Sequence, residues 1–161
     1  GDSGGDDAAV NRSRAFVRWL VEGEGAGLEQ RASLHATPLH IASARGSAPL
    51  VSALLRCGGD ADAKDKHGRS PLHHAATSGN EACVLLLASE ASDVNAADAV
   101  GGTPLMCAAR LGHAPAASLL LSLGADPKAE DRFGTTAYGM AMRKGHAATC
   151  RLLEQACMYE G

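Results

Sequence analysis

One stretch of this chain returns at a fixed interval. Thr103-Pro104-Leu105-Met106-Cys107-Ala108-Ala109, closed by Gly112-His113, has near-copies in Ser70-Pro71-Leu72-His73-His74-Ala75-Ala76, closed by Gly79, and in Thr37-Pro38-Leu39-His40-Ile41-Ala42, closed by Gly46. A worn fourth copy runs from Thr136-Ala137-Tyr138 to Gly145-His146. The starting positions 37, 70, 103 and 136 therefore step by 33 residues. A period of this length belongs to stacked units, each too small to bury its own apolar face and each completed by its neighbours.

The unit reads as two short helices and a turn. Thr37, Ser70, Thr103 and Thr136 stand as N-caps, whose hydroxyl accepts a bond from an orphaned backbone N–H, and Pro38, Pro71 and Pro104 follow at the first helical position, where a missing N–H costs nothing. Nine residues after each cap come Gly46, Gly79, Gly112 and Gly145, suited to the left-handed backbone that ends a helix. Pro49 and Pro115, in the first turn of a second helix, agree with this. The second helices carry Leu50-Val51 with Leu54-Leu55, Cys83-Val84 with Leu86-Leu87, Ala116-Ala117 with Leu119-Leu120-Leu121, and Cys150 with Leu152-Leu153 at helical spacing. Between helix pairs, Asp65 to Gly68, Asp98 to Gly101 and Asp131 to Gly134 each spell Asp-x-x-Gly, the ends of a type I turn at the tip of a projecting finger.

Bulk properties narrow the class. A net charge of -3 with 20% charged residues fits a soluble fold, and 3% aromatic residues leave no platform for stacking nucleic-acid bases. No apolar run approaches the roughly 18 residues of a membrane span. Five scattered cysteines, Cys57, Cys83, Cys107, Cys150 and Cys157, are odd in number and set among apolar residues, which favours free thiols in a reducing compartment, cytoplasmic or nuclear. The opening Gly1-Asp2-Ser3-Gly4-Gly5-Asp6-Asp7 resembles neither a signal peptide nor an initiator start, so we expect a domain of a longer protein.

Thr37-Pro38-Leu39-His40-Ile41-Ala42 and Ser70-Pro71-Leu72-His73-His74-Ala75 resemble the Thr-Pro-Leu-His-x-Ala signature of the ankyrin repeat, and Gly124-Ala125-Asp126 and Asp93-Val94-Asn95-Ala96 resemble its segment after the second helix. The likeness covers about residues 10 to 157, because Leu20-Val21-Glu22-Gly23-Glu24-Gly25-Ala26 aligns with the end of a second helix. It implies an all-α repeat solenoid of helix-turn-helix pairs linked by β-hairpin-like fingers. We expect one domain over 1–161, with an N-terminal capping half repeat at 6–36, repeats at 37–69, 70–102 and 103–135, and a degenerate C-terminal capping repeat at 136–157. The departures are Ala137 and Gly139 in place of proline and histidine in the last unit, and Ala91-Ser92 in place of Gly-Ala, which leaves one second helix without its glycine cap.

The chemical motifs do not survive inspection. Asp60, Asp62, Asp65 and Gly68 fail as a calcium loop, with Lys64 at a ligand position, and Gly23, Gly25 and Gly27 fail as a dinucleotide loop, with Leu28 in the place of the third glycine. The resemblance gives His40 and His73 a structural role, bonding back to the caps Thr37 and Ser70, and makes His113 and His146 turn residues. We expect no metal, no cofactor and no catalysis.

Family members usually bind other proteins on the fingertips and the exposed side of the first helices. Residue by residue, that implies a surface of Lys64, Lys66, His67 and Arg69, Val100, and Arg132 with Phe133 at the fingers, and of Arg45, Thr77, Ser78, Arg110, Leu111, Arg143 and Lys144 on the first helices. Eight of the fifteen Lys and Arg fall there, so the expected partner of this monomeric scaffold module is a protein with an acidic or phosphorylated segment. A nucleic-acid groove and a purely structural spacer are the alternatives; the net negative charge disfavours the first. Asn95 in Asp93-Val94-Asn95-Ala96, with Leu87 eight residues before, resembles the site that asparaginyl hydroxylases modify in ankyrin repeats. From the register alone, Leu105→Ala is expected to cost about 2 to 5 kcal/mol in a denaturant melt, and a loss below about 1 kcal/mol would place the register in error.

Overall fold

A computed structural model describes residues 35–91 and 93–159. The half repeat expected over 6–36, with its Leu20 to Ala26 helix end, lies outside the described residues save for its last two positions, as does Ser92. The described chain forms α1 (Pro38–Ala44), α2 (Ala48–Arg56), α3 (Pro71–Ser78), α4 (Glu81–Glu90), α5 (Pro104–Leu111), α6 (Ala114–Ser122), α7 (Ala137–Lys144) and α8 (Ala147–Tyr159), and no strand occurs among the described residues. None of these helices is long and apolar enough to cross a membrane.

The helices make two layers. The odd-numbered helices pack in sequence as one row and the even-numbered helices as the other, with each pair joined across the layers. Between them runs one continuous core. Leu39, Leu72 and Leu105, equivalent in successive units, are almost wholly buried, and Ala42, Ala75 and Ala108 beside them have no exposure, which allows the first helices to approach closely. Val51, Val84, Ala117 and Cys150 seal the second layer from the same repeat position.

Caps and stops follow the repeat. Thr37, Thr103 and Thr136 accept bonds from the backbone N–H of His40, Met106 and Gly139 at 3.4, 3.4 and 3.2 Å. Gly79 and Gly112 end α3 and α5 with φ of 74° and 73°. They are needed twice over, because a β-carbon on them would stand 2.6 and 2.5 Å from Nδ1 of His113 and His146. Those two rings lie over the preceding helix end and donate through Nε2 to the carbonyls of Thr77 and Arg110, at 3.0 and 3.1 Å. The helix without a glycine cap ends differently: Ala91 takes an extended conformation, where Gly58 and Gly124 turn left-handed at the equivalent place.

The fingers are turns closed by backbone bonds. Gly68, Gly101 and Gly134 donate to the carbonyls of Asp65, Asp98 and Asp131 at 2.9, 3.0 and 3.0 Å. Each aspartate Oδ1 accepts two further N–H groups of its own turn, as Asp131 does from Phe133 and Thr135, both at 2.9 Å. Adjacent fingers are tied by Ala99 N–H to the His67 carbonyl at 2.9 Å and Arg132 N–H to the Val100 carbonyl at 2.8 Å.

His40 and His73 clip one unit to the next. Nδ1 of His73 accepts from the Ser70 N–H at 3.1 Å, which leaves its proton on Nε2 to donate to the Gly102 carbonyl at 2.9 Å. His40 repeats this between the Thr37 N–H and the Arg69 carbonyl, at 3.1 and 2.9 Å. Burial pushes the His73 imidazole down from its ordinary 6.5 to about 4, and burial also lowers His40. Protonating Nδ1 would set a proton against the Ser70 N–H. The folded chain therefore stays neutral at His73 where the unfolded chain takes up a proton, so stability held above about pH 6.5 is lost as pH falls toward about 4. Urea melts at about pH 7 and about pH 4.5 are expected to differ by about 2 to 3 kcal/mol, and His73→Gln to flatten most of that slope. An unchanged slope in that variant would assign the titration to another group.

Candidate functional site

The fingertip hydrogen bonds place Lys66-His67, Ala99-Val100 and Arg132-Phe133 side by side in a row. Phe133 is 77% exposed at its end, with Val100 partly exposed beside it. The ring is held out in water by a turn whose backbone is closed by hydrogen bonds. The Arg132 guanidinium is steadied by donating to the Ala99 carbonyl of the neighbouring finger at 2.8 Å, so its direction is set before anything binds.

The first-helix residues lie at the other end of their helices. Arg110 and Leu111 close α5, and Arg143 and Lys144 close α7; all four are exposed. A cation in the last turn also favours the helix itself, by about 0.3 to 1 kcal/mol. An eight-residue helix is about 12 Å long, and neighbouring helices lie about 8 to 10 Å apart. Phe133 and Arg143 therefore mark a surface one helix long, and Arg110 and Arg143 mark one repeat across it.

Lys64, Lys66 and His67 are exposed on the first described finger, and Arg45 is exposed at the end of α1. Other expected contributors are engaged internally. Thr77 and Ser78 donate their hydroxyls to the His73 and Ala75 carbonyls at 2.9 and 2.8 Å. Arg69 is half-buried: its Nε lies 3.9 Å from the Asp98 carboxylate, too long for a hydrogen bond, and this nitrogen is buried with no hydrogen-bond partner.

Several features escape a reading by motif. His74 points away from His73 and bonds the Asp65 carboxylate at 2.9 Å, with its ring edge-on to His40 at 5.4 Å. Burial opposes ionisation of Asp65, but the bonds from His74 and from the N–H groups of Arg69 and His67 outweigh it and hold the carboxyl below its usual range. Asn95 donates from Nδ2 to the Gly124 carbonyl at 3.1 Å and accepts from the Asp126 N–H at 2.8 Å, joining the bases of two units. Met142 is 57% exposed beside Arg143. The sequence held a signal for it, since the same position carries Ser43, Ala76 and Ala109 in the other copies.

All five cysteines are free, and burial raises the Cys83 and Cys107 thiols, the reverse of an activated nucleophile. No group of three or more His, Cys, Asp or Glu side chains among the described residues is arranged to hold a metal ion. Against known proteins, a family model described as ankyrin repeats (3 copies) matches residues 7–98 and 91–159. No curated protein matches the chain.

Proposed function

Because the chain belongs to the ankyrin-repeat family, whose members are generally protein–protein interaction modules, we propose that it binds an acidic or phosphorylated peptide segment along its fingertips and first-helix ends, with no chemistry of its own. The observation that carries this reading is the pairing of Phe133, held out at the end of the finger row, with exposed cations at the ends of the last two first helices. An apolar anchor supplies affinity while the cations steer and orient an anionic segment. Arg110 and Arg143 each offer a planar fork suited to carboxylate or phosphate. The separation of about 8 to 10 Å between neighbouring helices corresponds to about three residues of extended chain, so the favoured ligand carries anionic groups at that spacing. The length of the surface favours such a segment over a small ion or metabolite. Lys64, Lys66 and His67 extend the positive character toward the first unit. The five free thiols support a reducing setting, cytoplasmic or nuclear.

By its likeness to hydroxylase sites, we also propose Asn95 as a hydroxylation site. Intact mass of cell-derived protein is expected to show one added oxygen on the peptide holding Asn95, and an unmodified mass removes the idea. For the surface itself, a binding assay over synthetic acidic and phosphorylated peptides is expected to yield ligands. Against these, Arg110→Glu with Arg143→Glu loses about tenfold or more in affinity while the chain stays folded, destabilised only by the reversed charge at two helix ends, about 1 to 3 kcal/mol. Unaltered binding in that double variant would refute the assignment.

A further inference from the structure

In the middle of the stack, the outer side of the second-helix layer departs from what a surface in water requires. A surface helix carries charged residues opposite its buried stripe. Yet α6 holds no charged residue, and α4 holds only Glu81 and Glu90, at its two ends. Between those ends α4 exposes Ala82, Leu85 and Ser89, while α6 exposes Pro115, Ser118 and Ser122. Leu85 is 51% exposed at a position that carries Ser52, Ser118 and Arg151 in the other copies. Half-buried Leu86 lines a recess between α4 and α2, and half-buried Leu119 is its equivalent on α6. The serines interrupt this apolar area little, because Ser89 and Ser122 turn their hydroxyl protons back to the Leu86 and Leu119 carbonyls, each at 2.7 Å. Since α4 and α6 pack side by side, these positions form one strip, about 15 Å long in the direction of α4.

The charges that bound the strip are of one sign. Between Arg69 and Lys128 the chain holds a single Lys or Arg, Arg110, and that residue closes α5 in the other layer. Glu81 and Glu90 stand at the two ends of α4, and Asp93 and Asp126 follow α4 and α6; all four are exposed. Cations of the same layer, Arg56 on α2 and Arg151 on α8, belong to the helices on either side.

We propose that this strip docks an amphipathic helix of a partner protein, one whose apolar stripe is flanked by lysines or arginines. The stripe covers Leu85 and Leu119, and the flanking cations meet Glu81 and Glu90. Helical form is favoured by the strip itself, which consists of helices whose backbone groups bond internally. An extended segment laid on it finds no strand edge among the described residues and leaves its own N–H and C=O groups unpaired. A helix satisfies its own backbone and sets a ridge of side chains into the groove between α4 and α6. A second copy in two-fold pairing brings two acidic rims together, and an anionic lipid surface meets the same repulsion. The strip shares no residue with the fingertips and first-helix ends, so the inference goes beyond the ligand proposed there and does not depend on it.

Fluorescence anisotropy with a labelled helical peptide of about 18 residues, leucines in one stripe and lysines on both flanks, is expected to show saturable binding to the chain with a Kd of about 10 to 300 µM. The same stripe flanked by glutamates is expected to bind about tenfold more weakly or worse. Leu85→Ser, the residue of two other copies, and Glu90→Lys, which places a favourable cation in the last turn of α4, are each expected to weaken the lysine-flanked peptide about fivefold with unaltered circular dichroism and melting. No binding of that peptide at about 500 µM chain, equal binding of the glutamate-flanked one, or an affinity untouched by both substitutions would each overturn the proposal. So would co-sedimentation of the chain with phosphatidylserine vesicles that Leu85→Ser abolishes, which assigns the strip to a membrane. A weight-average mass that rises with concentration and falls back in Leu85→Ser would overturn it in favour of a second copy.

Discussion

Burial of the first helices against their neighbours, on both sides for α3 and α5, is the constraint from which the rest of this structure follows. A helix pair such as α3 and α4 has no interior of its own; Leu72 and Val84 reach zero exposure only because units stand on both sides. Close approach is what makes the burial complete, and the alanines at 42, 75, 76, 108 and 109 permit it. Close approach also traps backbone carbonyls that would otherwise be hydrated. The histidines at 40 and 73 satisfy such groups by reaching forward to Arg69 and Gly102, while His113 and His146 reach back to the exposed carbonyls of Thr77 and Arg110.

The same stacking builds the exposed surface. Because unit follows unit at a fixed step, the turns at Asp65, Asp98 and Asp131 fall into line and bond one to another, and whatever side chains they carry become a row. The scaffold residues are shared by the copies, so the residues that differ are free to specify a ligand. Phe133, Arg110 and Leu111 belong to the second kind. Thr77 and Ser78 also bond backbone carbonyls of their own helix, and Arg69 packs toward Asp98.

Departures from the repeat carry information of a different sort. Ala91 in place of glycine changes only the local path, from a left-handed turn to an extended one, and the stack continues past it. The histidine of His40 and His73 is replaced by Met106 and then by Gly139, and the unit that begins at Thr136 still packs on the one before it.

The amino-acid sequence by itself determined the period, the starts of the first helices at their Thr or Ser caps, their stops at glycine and the Asp-x-x-Gly turns. These are local effects: a cap hydroxyl, a proline ring or a missing β-carbon acts within a few residues, and its identity can be read directly. The back-bonding of His40 and His73 to their caps belongs here too, three residues away. What only the tertiary structure decided were the pairings across units, where His73 meets Gly102 and Asn95 meets Gly124 over 29 residues, and His113 meets Thr77 over 36. It also decided which variable residues are exposed, and so separated Arg110 from Arg69 and revealed Met142. Those outcomes depend on how one helix pair is set against the next, a relation between packed surfaces that no short stretch of chain contains.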